Sequence, residues 1–147
     1  MHKQPVITAD VIVLYKNRLA PSSNLQILLI ERGKDPHKGC WALPGGHFDV
    51  DVDESILDCA VRELGEETHI NTLGSKLQYV GYFDKKDRDP RGRYVGFCWV
   101  YYATDFDVAN ARADDDAAKL KWFDLDNYLP EFAFDHQEMI NTYLKSL

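Results

Sequence analysis

A chain of 147 residues with an apolar fraction of 45% suffices for one domain, 1–147, around a single hydrophobic core. Its formal net charge of −7 argues against a general nucleic-acid binder, which would carry a basic face. No run approaches the roughly 20 apolar residues that span a bilayer, and the opening Met-His-Lys-Gln-Pro lacks the apolar stretch of a secretory signal. The expected setting is the cytoplasm, with no membrane contact.

Residues 7–15 are rich in β-branched and apolar side chains and predict a strand. Residues 17–24, with Pro21, Ser22 and Ser23, predict a loop. A mostly apolar run at 25–30 predicts a second, central strand. A polar loop at 32–38 follows, then a short strand at 41–48 broken by Pro44-Gly45-Gly46. Residues 55–68 have helical periodicity, with Leu57, Ala60, Val61 and Leu64 at i, i+3, i+4 and i+7, and Ser55 and Asp58 have the spacing of a capping box. Strands are expected at 78–83 and 94–103, joined by a loop at 84–93 that holds Lys85, Lys86, Arg88, Arg91 and Arg93. A short strand at 121–123 and a terminal helix at 135–147 complete an α/β domain with a mixed sheet. Cys40, Cys59 and Cys98 are odd in number and form no C-x-x-C pair, so they predict reduced thiols rather than a zinc site or disulfides.

The helix at 55–68 carries the chemistry. At about 100° per residue, Glu66 lies roughly 60° to one side of Glu63 and Glu67 roughly 40° to the other. The three carboxylates form one stripe, apart from the apolar stripe. Like charges at these spacings cost a bare helix a few tenths of a kcal/mol per pair, and a bound cation reverses that sign. A solvated acidic face relieved by Arg62 is the plain alternative for an isolated E-x-x-E-E. Here a Gly-Gly turn and Glu54 precede it.

With Glu54, seven residues, then Arg62-Glu63-Leu64-Gly65-Glu66-Glu67-Thr68-His69-Ile70, the sequence resembles the Nudix hydrolase family. The resemblance implies an α/β/α sandwich with a central mixed sheet. It also implies Mg²⁺ (or Mn²⁺) held by Glu63, Glu66, Glu67 and the backbone carbonyl of Gly45. Arg62 then matches the arginine that holds a box carboxylate, and Glu54 the acid at the helix start. Glu66, Glu63 and Arg62 are the expected catalytic residues. Two departures stand out: the Gly-Gly pair lies two residues too far from Glu54, which a loop absorbs cheaply, and His69 replaces a glycine expected in left-handed conformation at the helix end. Histidine tolerates positive φ better than most residues, and Asn71 is a second candidate cap.

Diphosphate hydrolysis requires neutralised phosphate oxygens and an activated water, which hard-ligand Mg²⁺ supplies, with a carboxylate as proton acceptor. Asp114, Asp115 and Asp116 are candidates for a loop acid, or a solvated turn. The segments Arg88-Asp89-Pro90-Arg91-Gly92-Arg93 and Ala133-Phe134-Asp135-His136 resemble parts of ADP-ribose pyrophosphatases. The expected substrate is therefore ADP-ribose, cleaved to AMP and ribose 5-phosphate, with Arg32, Gly46, Arg91, Arg93 and His136 as candidate substrate contacts. Trp41, Phe83 and Tyr94 are candidates to stack on a base, against a role as core aromatics. Nucleoside triphosphates, nucleotide sugars, or a non-catalytic ADP-ribose sensor are the alternatives. The sensor is disfavoured because such regulators can lose box glutamates, which this chain keeps, and because the chain stops at Leu147, where an appended DNA-binding domain is expected to have no room. A homodimer is possible for such a domain.

Overall fold

The elements run β1 (Val6–Lys16), β2 (Leu25–Glu31), β3 (Trp41–Ala42), β4 (Gly45–His47), α1 (Ile56–Thr68), β5 (Gln78–Phe83), β6 (Tyr94–Tyr102), α2 (Asp105–Asn110), β7 (Leu120–Asp124) and α3 (His136–Lys145) in a computed structural model that describes residues 3–17, 25–113 and 119–147. The expected loop at 17–24 lies almost wholly outside the described residues, and Asp114, Asp115 and Asp116 lie outside them entirely.

Side chains alternate along β1 between two apolar faces, with Ala9, Val11 and Val13 on one and Ile12 and Leu14 on the other, all buried. A strand apolar on both sides belongs in the middle of a sheet. Accordingly β1 runs parallel to β6 in unbroken register from Val6↔Tyr94 to Leu14↔Tyr102. On its other side, β4 pairs with its first half and β2 with its last residues, both antiparallel. The order is β3-β2-β1-β6-β5, with β7 on β2 and β4 on β1.

Helix α1 covers the face of Ala9, Leu28 and Trp99 through Cys59, Ala60 and Leu64. Helix α3 covers the opposite face of Ile12, Leu29 and Val100 through Met139, Ile140 and Tyr143. This is the expected α/β/α sandwich with a mixed sheet. Among the described residues no helix is long and apolar enough to cross a membrane. The three cysteines are free, Cys59 and Cys98 buried.

Two local features fix how α1 is presented. At its start, the Ser55 hydroxyl accepts from the Asp58 N–H at 3.0 Å. At its end, His69 itself takes the left-handed cap (φ 62°, ψ 18°) and donates its N–H to the Gly65 carbonyl. The lengthened loop before α1 is knitted by its own acids: Asp53 Oδ2 accepts from Asp49 N, and Asp49 Oδ1 from Asp51 N. That knitting absorbs the two extra residues. Helix α2 was not expected from the sequence. Its signal is Thr104-x-x-Asp107, a reciprocal capping box in which each side chain accepts the other's backbone N–H.

Candidate active site

A cavity of about 360 Å³ opens where β1, β4 and α1 meet the segments before β6 and α3. Its floor is Thr8 and Asp10, adjacent same-face positions of β1. Its charged lining falls into two contact groups, Glu63 and Glu67 against Gly46 and Gly45 (the acidic end) and Arg32 and Arg91 at the Phe134 ring (the basic end).

The acidic end is built on two glycines. Gly46 lies so close to Glu63 that a Cβ there would stand 2.6 Å from the carboxyl carbon. Gly45 donates its N–H to Glu67 Oε2 at 2.9 Å. Burial pushes the Glu67 carboxyl well above the usual range, with Glu63 and Asp10 adding to the effect and the Gly45 amide opposing it. Glu63 is raised as well, again chiefly by burial, against the pull of Arg62. Arg62 binds Asp53 through Nε and Nη2, both at 2.8 Å, Glu63 at 2.9 Å and Glu66 at 3.2 Å. The bonds from Arg62 hold the Asp53 carboxyl down at about 2. Glu66 sits on the rim, its side chain 57% exposed, outside the cavity lining.

Arg62 holds the box carboxylates Glu63 and Glu66, as the resemblance implies, and one acid more. The acid that Arg62 holds ahead of the helix is Asp53, whereas Glu54, one residue on, is exposed. The loop's internal bonds turn Asp53 inward, and a one-residue step reverses the side chain.

The acidic end suits a divalent cation by its chemistry. Its donors are hard oxygens, and Glu67, half-buried, has no ion-pair partner among the described residues. Among the described residues, no three His, Cys, Asp or Glu side chains already converge as a cage. Arg62 instead engages Glu63 and Glu66.

At the basic end, Arg32 follows β2, donates Nε–H to the Pro36 carbonyl at 2.7 Å, and leaves Nη2 buried without a hydrogen-bond partner. Its guanidinium lies 4.9 Å from the centre of the Phe134 ring. Arg91 is gripped by Asp89 at 2.8 and 3.1 Å and lies over Tyr94 at 4.8 Å and Phe134 at 5.4 Å. Arg88 forms a two-pronged pair with Asp135 at 2.7 and 2.9 Å, tying the loop before β6 to the start of α3. Arg93 is exposed and outside the cavity lining, so the structure does not bring it to the other candidate contacts.

His136 is buried in the cavity wall. Its Nδ1 accepts from Leu43 N at 2.9 Å, and its Nε2 lies 3.7 Å from Asp10 Oδ1. Burial drives the imidazole down to about 4 and the Asp10 carboxyl up to about 7. Of the three aromatics considered for stacking, Tyr94 lines the cavity. Trp41 packs edge-on against Phe123 at 5.0 Å, and Phe83 lies in the core beneath α3. Sequence reading passed over Asp10, Asp53 and Asp89. Asp10 had a signal, a lone acid inside an otherwise apolar strand.

The NUDIX domain family model matches residues 6–143. The chain belongs to the Nudix family. It is 35% identical over 145 residues to an ADP-ribose pyrophosphatase of Methanocaldococcus jannaschii, covering 99% of this chain and 76% of that protein. It is 32% identical over 95% of its length to the ADPR responsive transcriptional repressor NtrR of Acinetobacter baylyi, of which it spans only 53%. The Nudix domain of Shewanella oneidensis NrtR, solved with ADP ribose, superimposes with a TM-score of 0.85 at 25% identity, covering 99% of this chain and 90% of that one. Because one of these Nudix relatives is a transcriptional repressor, the acidity of the chain does not settle the question of a nucleic-acid partner.

Proposed function

We propose that this Nudix domain hydrolyses ADP-ribose to AMP and ribose 5-phosphate with Mg²⁺, Mn²⁺ serving as a substitute. The observation that carries the reading is that one cavity is lined both by the oxygen donors of Glu63, Glu67 and Gly45 and by the guanidiniums of Arg32 and Arg91. A diphosphate bridge joining two bulky groups needs both. Likeness to the archaeal pyrophosphatase and to an ADP-ribose-bound Nudix domain supports the choice of substrate.

Glu63, Glu66, Glu67 and the Gly45 carbonyl would hold the ion. When bound, it neutralises phosphate oxygens and eases deprotonation of water. Arg62 orients Glu63 and Glu66 from a guanidinium itself anchored on Asp53. Water adds at one phosphorus of the bridge, the bridging oxygen leaves with the other phosphoryl group, and a carboxylate of the α1 stripe accepts the water's proton. Arg32, Arg91, Gly46 and His136 are assigned to substrate contact, Arg32 through its unpartnered buried Nη2.

The test is a screen of ADP-ribose, NADH, nucleotide sugars and nucleoside triphosphates with Mg²⁺, reading products. AMP and ribose 5-phosphate from ADP-ribose, at the highest kcat/KM in the panel, is the expected result. Preference for triphosphates with release of pyrophosphate would replace this reading. Likeness to the repressor favours a second one, an ADP-ribose sensor. Tight binding of ADP-ribose without turnover under Mg²⁺ or Mn²⁺ would establish it.

A further inference from the structure

We infer that Phe134 is a positioning residue that spaces Arg32 and Arg91 as a paired grip on the phosphoryl group not held at the glutamate end. This rests on the diphosphate reading above and adds to it the residue that arranges the grip. Phe134 has φ 51°, left-handed backbone that a bulky residue adopts only where its surroundings impose it. Those surroundings are visible. Ala133 N donates to the Trp41 carbonyl at 2.8 Å, Phe132 bridges to Trp41, Asp135 is clamped by Arg88, and His136 is bonded to Leu43. The backbone is pinned on both sides, and the ring is delivered to one place.

Both guanidiniums gather at that ring, Arg32 at 4.9 Å and Arg91 at 5.4 Å from its centre. Two like charges drawn together need compensation; of the carboxylates that act on Arg32, Asp89 is taken up by Arg91 and Glu67 accepts from the Gly45 amide. Arg32 keeps a buried Nη2 with no acceptor. A buried donor of this kind carries a desolvation cost until something accepts from it, and charged forks favour phosphoryl oxygens. The ring contributes a face attractive to cations and no acceptor that would compete with the ligand.

The experiment measures ADP-ribose binding by calorimetry in EDTA, with thermal melts confirming folding. Phe134→Leu is expected to weaken binding about tenfold, the scale of a desolvated cation–π contact, while Phe134→Tyr, which keeps the ring, stays within about twofold. In an Arg32→Gln background the same Phe134→Leu change should cost less than about threefold, since residues that act through one another are not additive. With Mg²⁺ the loss should appear in KM, with kcat nearly unchanged. If Phe134→Leu does not fold, Phe134→Met takes its place in the cycle. Equal losses in both backgrounds, or unchanged binding by the folded Leu or Met variant, would overturn the grip even if the wild type hydrolyses ADP-ribose. Absence of ADP-ribose binding by the wild type would sink the grip and the substrate assignment together.

Discussion

Replacing Gly46 by alanine perturbs Glu63, proposed above as a metal ligand, without touching it covalently. The added Cβ would lie 2.6 Å from the Glu63 carboxyl carbon and 2.7 Å from each oxygen. Ordinary contact begins near 3.4 Å, so the carboxylate must retreat by about 0.7 Å. A metal site tolerates about 0.2 Å in ligand distance, and a misplacement near 1 Å can cost about 100-fold in rate. The clash is with the far end of a flexible side chain, so the fold should survive. Gly46→Ala is expected to lower kcat for ADP-ribose about 30- to 100-fold and raise the Mg²⁺ concentration at half-maximal rate, with Tm shifted by no more than about 3 °C. Gly45→Ala is the contrast, because its Cβ would overlap the Ala9 carbonyl of β1 itself and should cost folding. The assay is a steady-state Mg²⁺ titration beside differential scanning calorimetry. Full activity in a folded Gly46→Ala protein would refute the link between this glycine and the placement of Glu63.

Glu66→Gln should lower kcat by about 10³-fold while Tm holds, since Glu66 is a rim residue; retained turnover would remove it from the mechanism. His69→Gly should raise stability by about 0.5–1 kcal/mol, and Tm by roughly 2–4 °C, by relieving left-handed strain at the α1 cap; calorimetry reads it, and a lower Tm would contradict the strain. Acid stability isolates His136. Its folded pKa of about 4 lies below the unfolded value of 6.5, so the unfolded chain binds the extra proton and this residue's share of stability falls as pH drops from about 6.5 to 4. The share lost is about 3 kcal/mol. Asp10, raised to about 7, has the opposite slope, and Glu67, Asp135, Arg88, Arg32 and His37 stand nearby. The quantity to measure is therefore the difference between wild type and His136→Gln in denaturant midpoints at pH 7 and 4.5, and equal acid loss in both would show that burial does not hold the imidazole neutral.

The mixed α/β domain was legible because β1, β2 and α1 announce themselves by pattern, a β-branched and apolar stretch, an apolar run, and i, i+3, i+4 spacing; the α/β/α layering came from the family resemblance. The glutamate stripe was legible for the same reason, being a property of one helix. Asp53 was not, because a loop knitted by its own acids decides which of two neighbouring carboxylates, Asp53 or Glu54, turns inward. Phe134 and the Arg88–Asp135 clamp were invisible as contacts because they join segments more than 40 residues apart, and nothing in local pattern encodes which arginine of 84–93 meets which residue before α3. Arg93 shows the limit plainly. It shares its type and loop with Arg91, yet Arg91 lies against Phe134 and Arg93 does not line the cavity.

The cavity's two ends are anchored with unequal firmness. The acidic end stands on β1, hydrogen-bonded on both sides through nine parallel pairs with β6 and through β4 and β2, and on a helix sealed into the core. The basic end stands on connecting segments around 32, 88–91 and 134. A new choice of ligand can thus arise by rewriting those connectors while the proposed cleavage residues stay as they are, so one scaffold can change its diet without relearning how to cut.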